Sequence, residues 1–224
     1  MVSKKFNPKL IMIDVDGTMV DSVPDLAYCV DQTMILMGRD VWGEEKVRHW
    51  VGNGVPKLVE RSISGTLEGK VNRKDFEKAY DIFLELYAQN TSVRSCLYDG
   101  VMEGLSYIKD QGYLLGCVTN KAEQFTLPIL KDLGIIDNFK IVISGDTLEK
   151  KKPDPLPLIY AANFFGVRPE ESIMLGDSIS DVTASRAAGY NVICMSYGYN
   201  HGNNIYDSRP DLVIDSMEDL KNYL

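Results

Sequence analysis

Asp14-Val15-Asp16-Gly17-Thr18 stands directly after the aliphatic run Leu10–Ile13 and is followed by Asp21-Ser22. Two carboxylates at i and i+2, on a turn leaving a buried segment, are costly unless a cation offsets them. Magnesium, a hard ion that takes oxygen ligands, would do so. In that setting Asp14 is a candidate nucleophile toward phosphorus, forming an aspartyl phosphate. Asp16 would protonate the leaving oxygen and then activate water. Gly17 lets the chain turn sharply and is expected to face the substrate. The plainer reading, an acidic turn capping the next helix, stays open for Asp21 and Ser22.

Three further groups supply what such a reaction needs. Thr119-Asn120, after a second apolar run, would donate hydrogen bonds to phosphate oxygens at a helix start, although a Thr-Asn pair is also an ordinary helix cap. In Lys150-Lys151-Lys152-Pro153 the lysine fixed ahead of proline, Lys152, is expected to set its ammonium against the transferring phosphoryl group. Lys150 and Lys151 are expected to face water. Gly176-Asp177 with Asp181 at i+4 puts two carboxylates one helical turn apart. Asp177 suits direct metal binding, and Asp181 suits holding the lysine or a metal-bound water behind it. Acids favouring a helix N-terminus would give the same pattern.

The elements that must position these groups are legible as short aliphatic runs: Leu10–Ile13, Tyr113–Val118, Lys140–Ile143, Ser172–Leu175, Asn191–Met195 and Asp211–Ile214. Amphipathic segments separate them, which predicts a doubly wound, Rossmann-like parallel sheet with helices on both faces. All four motifs then fall at carboxyl ends of strands, where open α/β sheets gather ligands. The alternation fails between Ser22 and Arg94. There Phe76, Tyr80, Phe83 and Tyr87 recur at helical spacing. The expected organisation is an α/β core from 1–21 and 95–224, interrupted by an inserted α-helical cap at 22–94.

The composition narrows the function. The chain has 224 residues, 45% hydrophobic and 25% charged, with a net charge of −8. Such a balance argues against nucleic-acid or anionic-membrane partners. No run approaches the ~20 apolar residues of a membrane span. The four cysteines are scattered and the two histidines are His49 and His201, so zinc and dithiol chemistry have little support and a reducing cytoplasm fits. The absence of GxxxxGK[ST] argues against a nucleotide-binding kinase module. A phosphoacceptor receiver domain would be about half this length and would lack the helical insert.

Taken together, DxDGT, the strand-end Thr119, the Lys152-Pro153 lysine and GDxxxD resemble the phosphatase branch of the haloacid dehalogenase superfamily, in the expected order over nearly the whole chain. The resemblance implies magnesium held by the Asp14 carboxylate, the main-chain carbonyl of Asp16, and Asp177. It also implies a small phosphorylated metabolite as substrate and a monomer or homodimer. Asp21–Leu26 and Val47–Gly54 resemble the members that act on 2-phosphoglycolate. The Gly52-Asn53-Gly54 turn would project over the site, with Asn53 and Gly54 near substrate and Arg48 and Lys57 as partners for its carboxylate. Surface cations and an ordinary glycine turn are the competing readings. A sugar phosphate, a nucleotide, pyrophosphate or a phosphomutase reaction is the alternative chemistry.

Overall fold

Four consecutive buried aliphatic side chains form β1 (Leu10–Ile13), and a strand without a polar face must lie inside a sheet covered on both sides. Ile11 and Ile13 enter one hydrophobic cluster, while Leu10 and Met12 enter another, the period of two that a strand dictates. The computed structural model describes residues 5–224; residues 1–4 of the expected core segment lie outside these.

After β1 come the two-residue β2 (Val20–Asp21) and four helices: α1 (Val23–Leu36), α2 (Gly43–Arg48), α3 (Val55–Ser64) and α4 (Arg73–Ala88). The chain returns through β3 (Cys96–Leu97), antiparallel to β2. Regular alternation follows: α5 (Val101–Asp110), β4 (Leu114–Val118), α6 (Glu123–Asp132), β5 (Val142–Ile143), α7 (Leu156–Phe165), β6 (Ser172–Gly176), α8 (Ile179–Ala188), β7 (Asn191–Met195) and β8 (Leu212–Ile214). The sheet order is β5-β4-β1-β6-β7-β8, every neighbouring pair parallel. Leu105, Ile108, Ile129 and Leu130 of α5 and α6 cover one face. Leu158, Ala161, Val182 and Ala184 of α7 and α8 cover the other. This is the doubly wound α/β core expected, with a helical insertion after its first strand.

Two details differ from the sequence reading. The strand expected at Lys140–Ile143 narrows to Val142–Ile143, because it lies at the sheet edge with β4 as its neighbour. The β2–β3 pair was not expected; two residues carry no periodicity to read.

Helices α1 to α4 bury a further cluster, in which Phe83 and Tyr87 of α4 join Val30, Trp50 and Leu58, and to which the core adds Phe125 and Tyr199. Asp25, in the first turn of α1, fixes where the chain comes back. Its fully buried carboxylate accepts hydrogen bonds from the main-chain N–H groups of Arg94 (2.9 Å) and Ser95 (2.8 Å) and from the Ser95 hydroxyl (2.7 Å). Arg94 also pairs with it at 3.2 Å. Asp25→Ala leaves these donors without their acceptor, and the expected loss is about 3 kcal/mol. Urea unfolding checks it: the midpoint should fall with the slope unchanged.

Candidate active site

Because β5, β4, β1 and β6 are adjacent and parallel, the residues that follow their carboxyl ends converge. Asp14 follows β1, Thr119 follows β4 and Asp177 follows β6. Lys152 arrives on the loop between β5 and α7. Its buried ammonium donates to Asp14 Oδ2 (2.9 Å), Asp181 Oδ1 (2.7 Å) and the Val118 carbonyl (3.0 Å). Lys152 is thus the shared counter-ion of Asp14 and Asp181. Asp181 is locked by the start of α8: its Oδ2 accepts from the N–H groups of Asp177 (3.2 Å) and Ser178 (3.0 Å) and from the Ser178 hydroxyl (2.7 Å). Asp177 accepts from the Thr18 hydroxyl (3.3 Å) and the Tyr199 N–H (2.5 Å).

One carboxylate oxygen from each of Asp14, Asp177 and Asp181 lies within 4.8 Å of the others, all three residues buried. Burial raises the Asp14 pKa from its ordinary 3.8 to about 6, against the pull of Lys152. Burial and then the charges of Asp181 and Asp14 raise Asp177. An oxygen-only set with more negative than positive charge fits a hard divalent cation. Glycine at position 17 is required here. Its φ is +81°, and a Cβ would collide with the Asp177 carboxylate.

The raised Asp14 pKa has a measurable consequence. Between about pH 4 and 6 the metal-free folded protein keeps a proton that the unfolded chain has released, so this group stabilises the fold most at low pH and less as pH rises. In chelator, the Tm of wild type relative to Asp14→Asn should therefore fall from pH 4.5 to 7, and saturating magnesium should flatten the trend. A relative Tm that rises over this range would contradict the assignment.

Asp16 keeps its expected place: its carboxylate points to Lys121, at 2.9 and 3.1 Å, outside the Asp14–Asp177–Asp181 cluster, and the metal ligand expected of it is its main-chain carbonyl. Several other expected site residues sit differently from the sequence reading. The Asn120 amide gives its hydrogens to the carbonyls of Gly52 (3.2 Å) and Lys152 (2.9 Å) and does not offer them to phosphate. Arg48 is clamped on Asp21 (3.1 Å) and Glu44 (2.8 Å), and Lys57 pairs with Glu60 (3.1 Å) and Glu68 (3.7 Å). Lys151, expected in water, is half-buried and donates to the Asn53 carbonyl at 3.1 Å. The docked glycine turn gives it a partner that an open loop would not. Lys150 does stay exposed, paired with Asp154. Gly17 packs on Asp177 and is not on the cavity wall.

A cavity of ≈ 30 Å³ lies over the carboxylates, room for only a few waters. The strand ends supply its polar floor, with Asp14, Asp16, Thr119, Asn120, Lys121, Lys152 and Asp177. The helical insertion supplies Leu26, Val51, Gly52, Gly54, Val55 and Leu58. Two residues were missed in the sequence. Lys121 is 3% exposed in its side chain, paired with Asp16 and 5.0 Å from the Tyr87 ring centroid. Burial works against its charge, but Asp16 and then Tyr87 outweigh that and hold its pKa above the ordinary lysine value. Its place beside Thr119-Asn120 was the available signal. Tyr199, from the loop after β7, bonds Asp177 through its N–H and Asp21 through its hydroxyl; no motif marks it.

A buried carboxylate paired with a buried lysine, beside an acidic cluster of metal-binding type at the ends of a parallel sheet, is the arrangement phosphoryl transfer needs. Residues 11–195 match the haloacid dehalogenase-like hydrolase family, and the chain belongs to that family. Among its relatives, the phosphoglycolate phosphatase of Nitrosococcus oceani is 59% identical over 217 residues, covering 97% of this chain and 96% of the relative. The phosphoglycolate phosphatase of Thiobacillus denitrificans is 42% identical over 209 residues, covering 93% and 92%. The crystal structure of a predicted phosphoglycolate phosphatase from Haemophilus somnus superposes with a TM-score of 0.91 at 34% identity, covering 96% of this chain and 97% of that one.

Proposed function

We propose that the protein is a magnesium-dependent phosphomonoester hydrolase that converts 2-phosphoglycolate to glycolate and phosphate. The observation that carries the chemistry is the Asp14 carboxylate held 2.9 Å from Lys152 beside Asp177 and Asp181. The substrate follows from the 59% identical relative. Asp14, Asp177 and the Asp16 carbonyl would hold magnesium, which offsets the acidic charge and draws electron density from the phosphoryl oxygens.

Asp14 Oδ attacks phosphorus; the new O–P bond forms as the bond to the glycolate oxygen breaks, and Asp16 supplies that oxygen with a proton. Asp16 then takes a proton from water, whose oxygen attacks phosphorus and frees the Asp14 carboxylate. Lys152 and the Thr119 hydroxyl offset charge on the phosphoryl oxygens. Residues 22–94 act as a cap that must swing off to admit substrate and then exclude water. Among the described residues no helix is long and apolar enough to cross a membrane. The four free thiols suit the cytoplasm.

Phosphate release from 2-phosphoglycolate, beside sugar phosphates and nucleotides, tests this reading. The expected result is a kcat/KM for phosphoglycolate far above the rest, abolished by excess chelator. Metal-dependent turnover favouring another ester would overturn the substrate, and no turnover of any ester would overturn the chemistry.

A further inference from the structure

The proposed substrate carries two anionic ends, and the mechanism accounts for only one. Besides the phosphoryl group there is a carboxylate on the leaving group, and something in the cavity must replace the water it loses. Lysine and arginine side chains on the cavity wall, among the described residues, are limited to Lys121 and Lys152. Lys152 sits at the phosphoryl end, between Asp14 and Asp181, and is assigned to the phosphoryl oxygens. Arg48 and Lys57 do not line the cavity. Lys121 is buried, and the acidic group facing it is the single carboxylate of Asp16.

We propose that Lys121 is the specificity-determining residue that receives the substrate carboxylate. This rests on the reading of Asp16 as the group that protonates the leaving oxygen. An ester oxygen hydrogen-bonded to Asp16 lies beside the lysine that touches both Asp16 oxygens. In phosphoglycolate the carboxylate carbon is only two bonds from that ester oxygen, so a short acid reaches the Lys121 ammonium and a longer one overshoots it. The wall supplied by the helical insertion reinforces the choice. Leu26, Val51, Val55 and Leu58, with Gly52 and Gly54, offer no polar side chain from the helical insertion. The hydroxyls of a sugar phosphate would be buried there unpaired, which a site rejects strongly.

The test compares 2-phosphoglycolate with its neutral carboxamide, an ester of the same size lacking only the charge. Wild type should prefer the acid by about 30-fold or more in kcat/KM, the scale of a buried charge pair. Lys121→Met should lower both rates and reduce the preference to about 3-fold or less, mainly through KM for the acid. Lys121→Gln keeps a donor for Asp16 while removing the charge, and the same collapse is expected; it is the variant to read should Lys121→Met not fold. Lys121→Arg should keep most of the preference. Equal slowing of acid and amide by the neutral variants, with the preference intact, would overturn the proposal, because Lys121 would then act only through Asp16. Failure of wild type to hydrolyse either ester in magnesium would instead sink the phosphatase reading.

Discussion

Asp14→Asn is expected to lower kcat by on the order of 10⁴-fold or more and to leave the fold intact. The amide oxygen is too poor a nucleophile to attack phosphorus, and no other carboxylate can take its place. Asp177 and Asp181 are held by fixed N–H donors at the start of α8 and in the Tyr199 loop, and Asp16 is held by Lys121. The fold should survive because an asparagine oxygen still accepts the Val15 N–H, now 2.7 Å from Asp14 Oδ1. Lys152 keeps Asp181 and the Val118 carbonyl. Removing one of three crowded carboxylates also relieves repulsion, so in chelator at pH 7.5 the variant should be at least as stable as wild type. Its stabilisation by magnesium should shrink, since one ligand is gone. Phosphate release under saturating substrate and Tm with and without magnesium check both halves. Residual turnover within 100-fold of wild type would remove Asp14 from the role of nucleophile.

The same contacts explain what the sequence could reveal. Asp14 and Asp16 were readable because their chemistry is local: two acids and a glycine on one strand-turn define the problem and its solution. Asp177 was readable because an aliphatic run ends just before it, Asp181 because it follows one helical turn later, and Lys152 because Pro153 singles it out of its lysine run. Lys121 was not, because its role is set by Asp16, 105 residues away in the chain, and by Tyr87 of α4. Tyr199 comes from an aperiodic loop, and no local pattern distinguishes it from other loop tyrosines. For Lys151, the sequence shows a run of three lysines. Which of them faces in depends on where the Gly52–Gly54 turn docks, and docking is a property of the folded surface. Arg48 illustrates the same limit in reverse: its place in a stretch that resembles the phosphoglycolate-acting members suggested a substrate partner, but folding brings Asp21 and Glu44 within reach first.

Lys152→Met tests the electrostatics of the site more severely than loss of the nucleophile does. The lysine side chain is 1% exposed and lies between Asp14 and Asp181. Burial alone would lower its pKa, yet the two aspartates hold it raised. Methionine fills much of the same volume, so packing loss is small and the change isolates the charge. What remains is three buried carboxylates with an oxygen each inside 4.8 Å and no cation among them. Breaking a buried pair from one side costs about 3–5 kcal/mol, and that loss is expected here in chelator. Magnesium should recover part of it, because the ion supplies the missing positive charge to the same oxygens. Activity should not follow: without an ammonium against the phosphoryl oxygens, kcat should stay about 10³-fold down even at saturating metal. Urea midpoints with and without magnesium, beside kcat, separate the two effects. Combining the change with Asp14→Asn sharpens the reading, since the pair should be coupled. If Asp14→Asn restores none of the stability lost in Lys152→Met, the buried charges are not what destabilises it, and the assignment of Lys152 as their counter-ion fails.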